Sequence, residues 1–119
     1  MLRWIVSFLL LGSALGFAQA PDTLWTRTYG GNQEDAAHSI LPYQGGAIVC
    51  GHKEVGETWV TYVVKFDSNG VFEWDRQYET LNFSVANSIC ADDNGGFVLA
   101  GLTEGASQAL LIRGRNDGN

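Results

Sequence analysis

The sequence predicts an all-β chain in which one unit of four short antiparallel strands is written twice, the second copy without its last strand. Three observations carry this. Sliding the chain by 49 residues lays Trp25, Arg27 and Tyr29 on Trp74, Arg76 and Tyr78, and Ala37, Ser39 and Ile40 on Ala86, Ser88 and Ile89. That is six identities in sixteen positions, where chance gives about one. Beyond the first twenty residues no long stretch has a helical period; apolar runs of strand length alternate with Gly, Asn and Asp clusters. Finally, Ala47 to Cys50, Phe97 to Ala100 and Ala109 to Ile112 are apolar at consecutive positions, so both faces of each sheet require cover.

Residues 1–20 read as an address. Arg3 makes a short positive start, residues 4–17 are largely apolar, and Ala18-Gln19-Ala20 supplies the small residues a signal peptidase reads. Pro21 follows directly, so cleavage after Ala18 is an alternative to cleavage after Ala20. A secretory signal places the mature chain outside the cell, in the periplasm or at the cell surface. A spanning helix needs about 20 predominantly apolar residues, and no membrane role is expected once the signal is removed.

The elements follow in order. Residues 21–35 form a leading orphan strand, 25–29, and a loop through Gly30-Gly31. Blade one, residues 36–79, holds strands at 37–43, 47–52, 59–67 and 71–78. Its turns are Gln44-Gly45-Gly46 and Ser68-Asn69-Gly70, where Asn-Gly between two apolar runs predicts a type I′ turn. Blade two, residues 80–119, repeats this with strands at 85–91, 97–103 and 108–113. One extra residue in its first turn aligns Gly45 and Gly46 with Gly95 and Gly96; a later loop shorter by two aligns Tyr62 to Lys65 with Leu110 to Arg113. Four short antiparallel strands per fifty residues, stacked on copies of themselves, describe blades of an incomplete β-propeller.

The residues also resemble a known family. Trp-x-Arg-Thr-Tyr-Gly-Gly at 25–31, Gly-Gly-x-Ile-Val-x-Gly at 45–51, Val-Val-Lys-Phe-Asp-Ser-Asn-Gly at 63–70 and Trp74 are similar to bacterial secreted β-propeller repeats, found in long surface or extracellular proteins that often end in a type IX secretion sorting domain. The resemblance spans residues 24–118 and implies fold and export, but no shared catalytic residue. Thr61 departs from the pattern, standing where such repeats carry an acidic residue that closes a loop. Closed propellers have about 4 to 8 blades, and the third Trp demanded by the period is missing. The expectation is therefore a piece of a longer multi-blade protein, or a chain that assembles with copies of itself. Its outer faces and strand edges would otherwise stay unpaired.

Composition narrows the function classes. The chain of 119 residues carries 13 acidic against 7 basic side chains, a formal charge of −6. Losing residues 1–20 takes Arg3 with it and leaves 6 basic residues, a charge of −7. That balance repels phosphate backbones and excludes nucleic acid as a natural partner. Glu34 with Asp35, and Asp92 with Asp93, are sequence neighbours that point apart on extended chain, so neither pair converges on one bond. No nucleophile elbow or phosphate-binding glycine loop occurs. No cofactor and no catalysis are expected.

The remaining candidates are few. His38 and His52 are the only imidazoles and lack ligand spacing. Asp67-Ser-Asn-Gly70 and Asp92-Asp-Asn-Gly95 read as hairpin turns before calcium loops, with a weak surface site at Asp92 and Asp93 as the alternative. Cys50 and Cys90 occupy non-equivalent repeat positions and read as two buried free thiols rather than a bridge. Asn82-Phe83-Ser84 matches a glycosylation acceptor by accident of sequence. Trp59 alone among the repeat-region tryptophans has no counterpart in the other copy. Its ring, free to face solvent, is the candidate for stacking on a glycan or anchoring a surface protein.

These residues give a non-catalytic exported binding or scaffolding segment, whose partners are further blades or copies of itself. Two alternatives stand beside it: part of a propeller enzyme, a quinoprotein or glycan-processing protein, whose active residues lie in other blades; and a self-assembling propeller lectin.

Overall fold

In the computed structural model the described residues are 22–78, 83–103 and 108–117. The expected signal at 1–20 lies outside them. Seven strands follow in order: β1 (Asp35–Tyr43), β2 (Gly46–Val55), β3 (Thr58–Phe66), β4 (Phe72–Tyr78), β5 (Ser84–Ala91), β6 (Phe97–Thr103) and β7 (Gln108–Gly114). They form two antiparallel meanders, a four-stranded sheet β1-β2-β3-β4 and a three-stranded sheet β5-β6-β7. Neither closes into a barrel, and no described residue is helical. The fold is all-β, an incomplete stack of blade-like sheets.

The repeat is carried into the pairing. The register of β1 on β2 slips between Ala37 and Ser39, and that of β5 on β6 slips between Ala86 and Ser88. Both bulges fall at one repeat position, occupied by His38 and Asn87. Cys50 pairs with Val63 in the first sheet, as Ala100 pairs with Leu111 in the second.

The turns differ from expectation for a countable reason. Tyr43 and Gly46 are joined by Gln44 (φ 48°) and Gly45 (φ 77°), both left-handed, so the type I′ turn lies here and not at an Asn-Gly pair. At Asn69-Gly70 and Asn94-Gly95 only the glycine has positive φ, 75° and 84°. Gly70 N donates to Asp67 O at 3.0 Å and Asp67 N to Val71 O at 2.9 Å; Gly95 and Asp92 repeat the pattern with Asp92 O and Gly96 O. These are type I turns closed by a left-handed glycine, the three-residue hairpin loop. The one residue added to the first turn of the second copy changes its type.

The core lies between the sheets. Tyr43, Ile48, Cys50 and Val63 of the first pack against Ala86, Ile89, Phe97 and Leu99 of the second, with Trp74 and Tyr78 of β4 at its margin. Phe97 fills the space a Cβ on Gly114 would need, its strand partner. The equivalent pair in the first sheet is Ala47 and Phe66, with the large residue on the other strand. One aromatic ring per pair serves both copies, placed on opposite strands.

Two more expectations fail here. Residues 25–29 form no strand, since a strand needs a ladder partner and no described strand pairs with this segment. It lies instead across the outer face of the first sheet. Cys90 is exposed while Cys50 is buried, and both are free thiols. Cys90 occupies the repeat position of Leu41, which packs on the core only because the second sheet covers it; nothing described covers Cys90.

Candidate functional site

Alternation in register sorts every strand residue to one of two faces. In the first sheet Leu41, Ile48, Cys50, Val63 and Lys65 face the second. Their equivalents there, Cys90, Val98, Ala100, Leu111 and Arg113, point away from the core. Val63 is fully buried whereas Leu111 is 73% exposed. Ile48 and Cys50 are buried whereas Val98 is half-buried and Ala100 exposed. The outer face of the second sheet is thus a copy of an interface, left open among the described residues.

The outer face of the first sheet copies the other half of that interface. Ile40, Ala47, Val49, Tyr62 and Val64 stand where the second sheet has Ile89, Phe97, Leu99, Leu110 and Ile112. An apolar groove of about 270 Å3 runs over them, walled by Trp25, Arg27 and Tyr29. Tyr29 stacks on Phe72 at 4.9 Å between centroids and meets Phe66 edge-on at 5.4 Å. Trp25 lies against Gly70, and its Nε1 donates to Ser68 O at 3.2 Å. Tyr62 donates from its hydroxyl to Asp75 Oδ2 at 2.5 Å. Burial first, and then the Asp75 carboxylate, raise that phenol far above its ordinary range.

A polar cluster joins the two sheets at one end. Thr61 N and Oγ1 lie 3.0 and 3.1 Å from Ser84 Oγ, both residues being fully buried. Thr61 therefore ties β3 to β5 rather than closing the loop that an acidic residue would. Nearby, His52 Nδ1 lies 2.9 Å from His38 Nε2, and its ring stacks on Trp59 at 4.2 Å. Trp59 is in turn 5.0 Å from Phe83. His52 is 4% exposed and its Nε2 has no hydrogen-bond partner among the described residues, Glu34 Oε1 being 3.9 Å away. Burial, then the neighbouring His38, lower its pKa against the opposing pull of Glu34 and Asp35. In this ring-nitrogen contact one imidazole donates and the other accepts, the roles following the tautomer.

The sequence candidates fall out as follows. Trp59 does not stand free in solvent; it is half-buried and packed on His52. His38 and His52 come together through the β1 bulge, a contact that residue spacing did not announce. Asp67 Oδ1 accepts from Asn69 N at 2.8 Å and Val71 N at 2.9 Å, the backbone-capping role expected of it. Asp92 instead pairs with Arg113 Nε at 2.6 Å. Among the described residues no three His, Cys, Asp or Glu side chains are grouped to hold a metal ion.

Neither protein-family models nor curated proteins give a match to this chain.

Proposed function

We propose that the chain is a non-catalytic repeat module of an exported β-propeller, whose work is to stack with further blades and so build a binding or scaffolding surface outside the cell. One observation carries the reading: each outer face of the two-sheet stack repeats, position by position, a face that is buried inside it. Scattered surface hydrophobics are ordinary in any protein. A contiguous apolar face in register with a core is different, because stacking units bury their flanks on neighbours.

The test is a tandem duplication of residues 22–117, joined in frame. In a stacking array stability is a sum of unit and interface terms. The duplicated chain should gain one interior interface and unfold at a higher urea midpoint than the single one. Equal midpoints would remove the stacking function. The lectin alternative required an open Trp59, and the ring's contact with His52 favours packing instead.

A further inference from the structure

We infer that the neighbour of the second sheet is another copy of this chain, joined by strand donation: residues 25–29 of one copy complete the sheet of the next by pairing along β7. The inference rests on the stacking function proposed above and names its partner, edge and register.

The donor is recognisable by what it touches. Arg27 Nη1 donates to Thr26 O at 2.8 Å, and Arg76 of β4 makes the same contact to Asp75 O at 2.6 Å. Trp25 reaches the loop after β3 through Ser68 O, while Arg76 Nη2 reaches the loop after β7 through Asp117 O at 3.0 Å. Residues 25–29 thus lie on the first sheet as β4 lies on the second. What they lack is the edge that β4 has in β3.

The acceptor is the edge of β7, the last strand of the three-stranded sheet. The β3–β4 ladder sets the register. Val63 opposite Arg76 becomes Leu111 opposite Arg27, and Thr61 opposite Tyr78 becomes Ala109 opposite Tyr29. The side chains suit this. Lys65 relies on Glu73 of β4, at 2.6 Å; the equivalent Arg113 already has Asp92 in its own sheet, and the donor carries Leu24 at that place. Tyr62 with Asp75 becomes Leu110 with Thr26, so no carboxylate is left unpaired on either side.

Among the described residues the donor and acceptor of one copy cannot meet, so the inferred partner is a second molecule. Residues 25–29 lie on one face of the first sheet and β7 belongs to the sheet on its opposite face, with a full layer between them; packed sheets are separated by about 10 Å. Each copy brings two sheets. The contact is head-to-tail, so it closes only as a ring, and two to four copies would give the roughly 4 to 8 blades of closed propellers.

The experiment uses the full chain in a Cys50→Ala, Cys90→Ser background, which leaves no native thiol. Arg27→Cys with Leu111→Cys should form an intermolecular disulfide under a mild oxidant, in at least tenfold higher yield than Arg27→Cys with Leu110→Cys, whose side chains point to opposite faces. Circular dichroism of the reduced variants reports folding. Light scattering of the unsubstituted chain should give a discrete species of two to four copies. A monomer, equal crosslinking of both pairs, or a 27–111 bond within one chain would each overturn strand donation. A monomer whose tandem duplication is still stabilised would leave stacking standing and remove only this inference.

Discussion

Moving one aromatic ring between paired strands tests whether the sheets are equivalent solutions to one packing problem. Phe97→Ala empties the centre of the inter-sheet core, where Phe97 is fully buried opposite Gly114. Losing about 100–150 Å2 of buried apolar ring at about 25 cal/mol/Å2 removes about 3 kcal/mol of transfer energy. The cavity brings the loss to about 3–5 kcal/mol. Gly114→Phe alone overpacks the same space, because the Phe97 ring already fills the place of its Cβ, and should cost about 1–3 kcal/mol. Together the two changes reproduce the arrangement of Ala47 and Phe66. The double variant should therefore be only about 2 kcal/mol less stable than the parent, far from the sum of the singles. Urea unfolding at constant slope, about 1–3 kcal/mol per molar for a chain of this size, resolves a coupling of that magnitude as a shift of about 1 M or more. Additive midpoints would refute the equivalence of the two sheets.

Other consequences are quicker to test. Because the folded-state pKa of His52 is lowered, the unfolded chain binds the extra proton first; stability from this group is present above about pH 6.5 and lost as pH falls through the folded value. His52→Leu, the residue that Leu102 supplies at the equivalent position, should flatten the urea midpoint between pH 7.5 and 5. Glu73→Gln removes the carboxylate from the fully buried Lys65 and should lower stability by about 2 kcal/mol, less than a fully enclosed pair because Glu73 is partly exposed; a midpoint unchanged by the substitution would contradict it. In dilute native protein an aromatic disulfide reagent should titrate one thiol, Cys90, and a second only on unfolding, since Cys50 is buried and its thiol is pushed up to about 11.

All seven strands were legible because their signals are local. Apolar runs and Gly, Asn and Asp turns mark each one, and the period carries into the pairing, where the structure puts both bulges at one repeat position. What sequence missed depends on neighbours. Whether residues 25–29 pair is decided by an edge on another strand; whether Cys90 is covered depends on a sheet beyond it. The His38, His52 and Trp59 cluster was hidden for a geometric reason. A bulge shifts His38 out of simple alternation, and Trp59 meets His52 diagonally across the β2–β3 ladder, where His52 pairs with Thr61. Counting back from the Gly56-Glu57 turn would have found the second contact. Nothing short of the bulge would have found the first.

The charged residues distinguish a face prepared for burial from one that is merely apolar. At one repeat position the first sheet carries Lys65, fully buried and held by Glu73. The second carries Arg113, largely exposed, yet paired with Asp92 of its own sheet. An exposed cation gains little from such a pair, whereas a cation about to be covered cannot do without one, since a lone buried charge is strongly destabilising. Arg113 is thus already neutralised in the position where Lys65 needs to be. Leu111 and Ala100 stand beside it, ready to be covered as Val63 and Cys50 are. On the stacking proposal, Asp92→Asn should leave the dilute monomer nearly unchanged and weaken association. If light scattering showed association unaffected while the monomer was destabilised, the Asp92 pair would belong to the single chain and not to the stack.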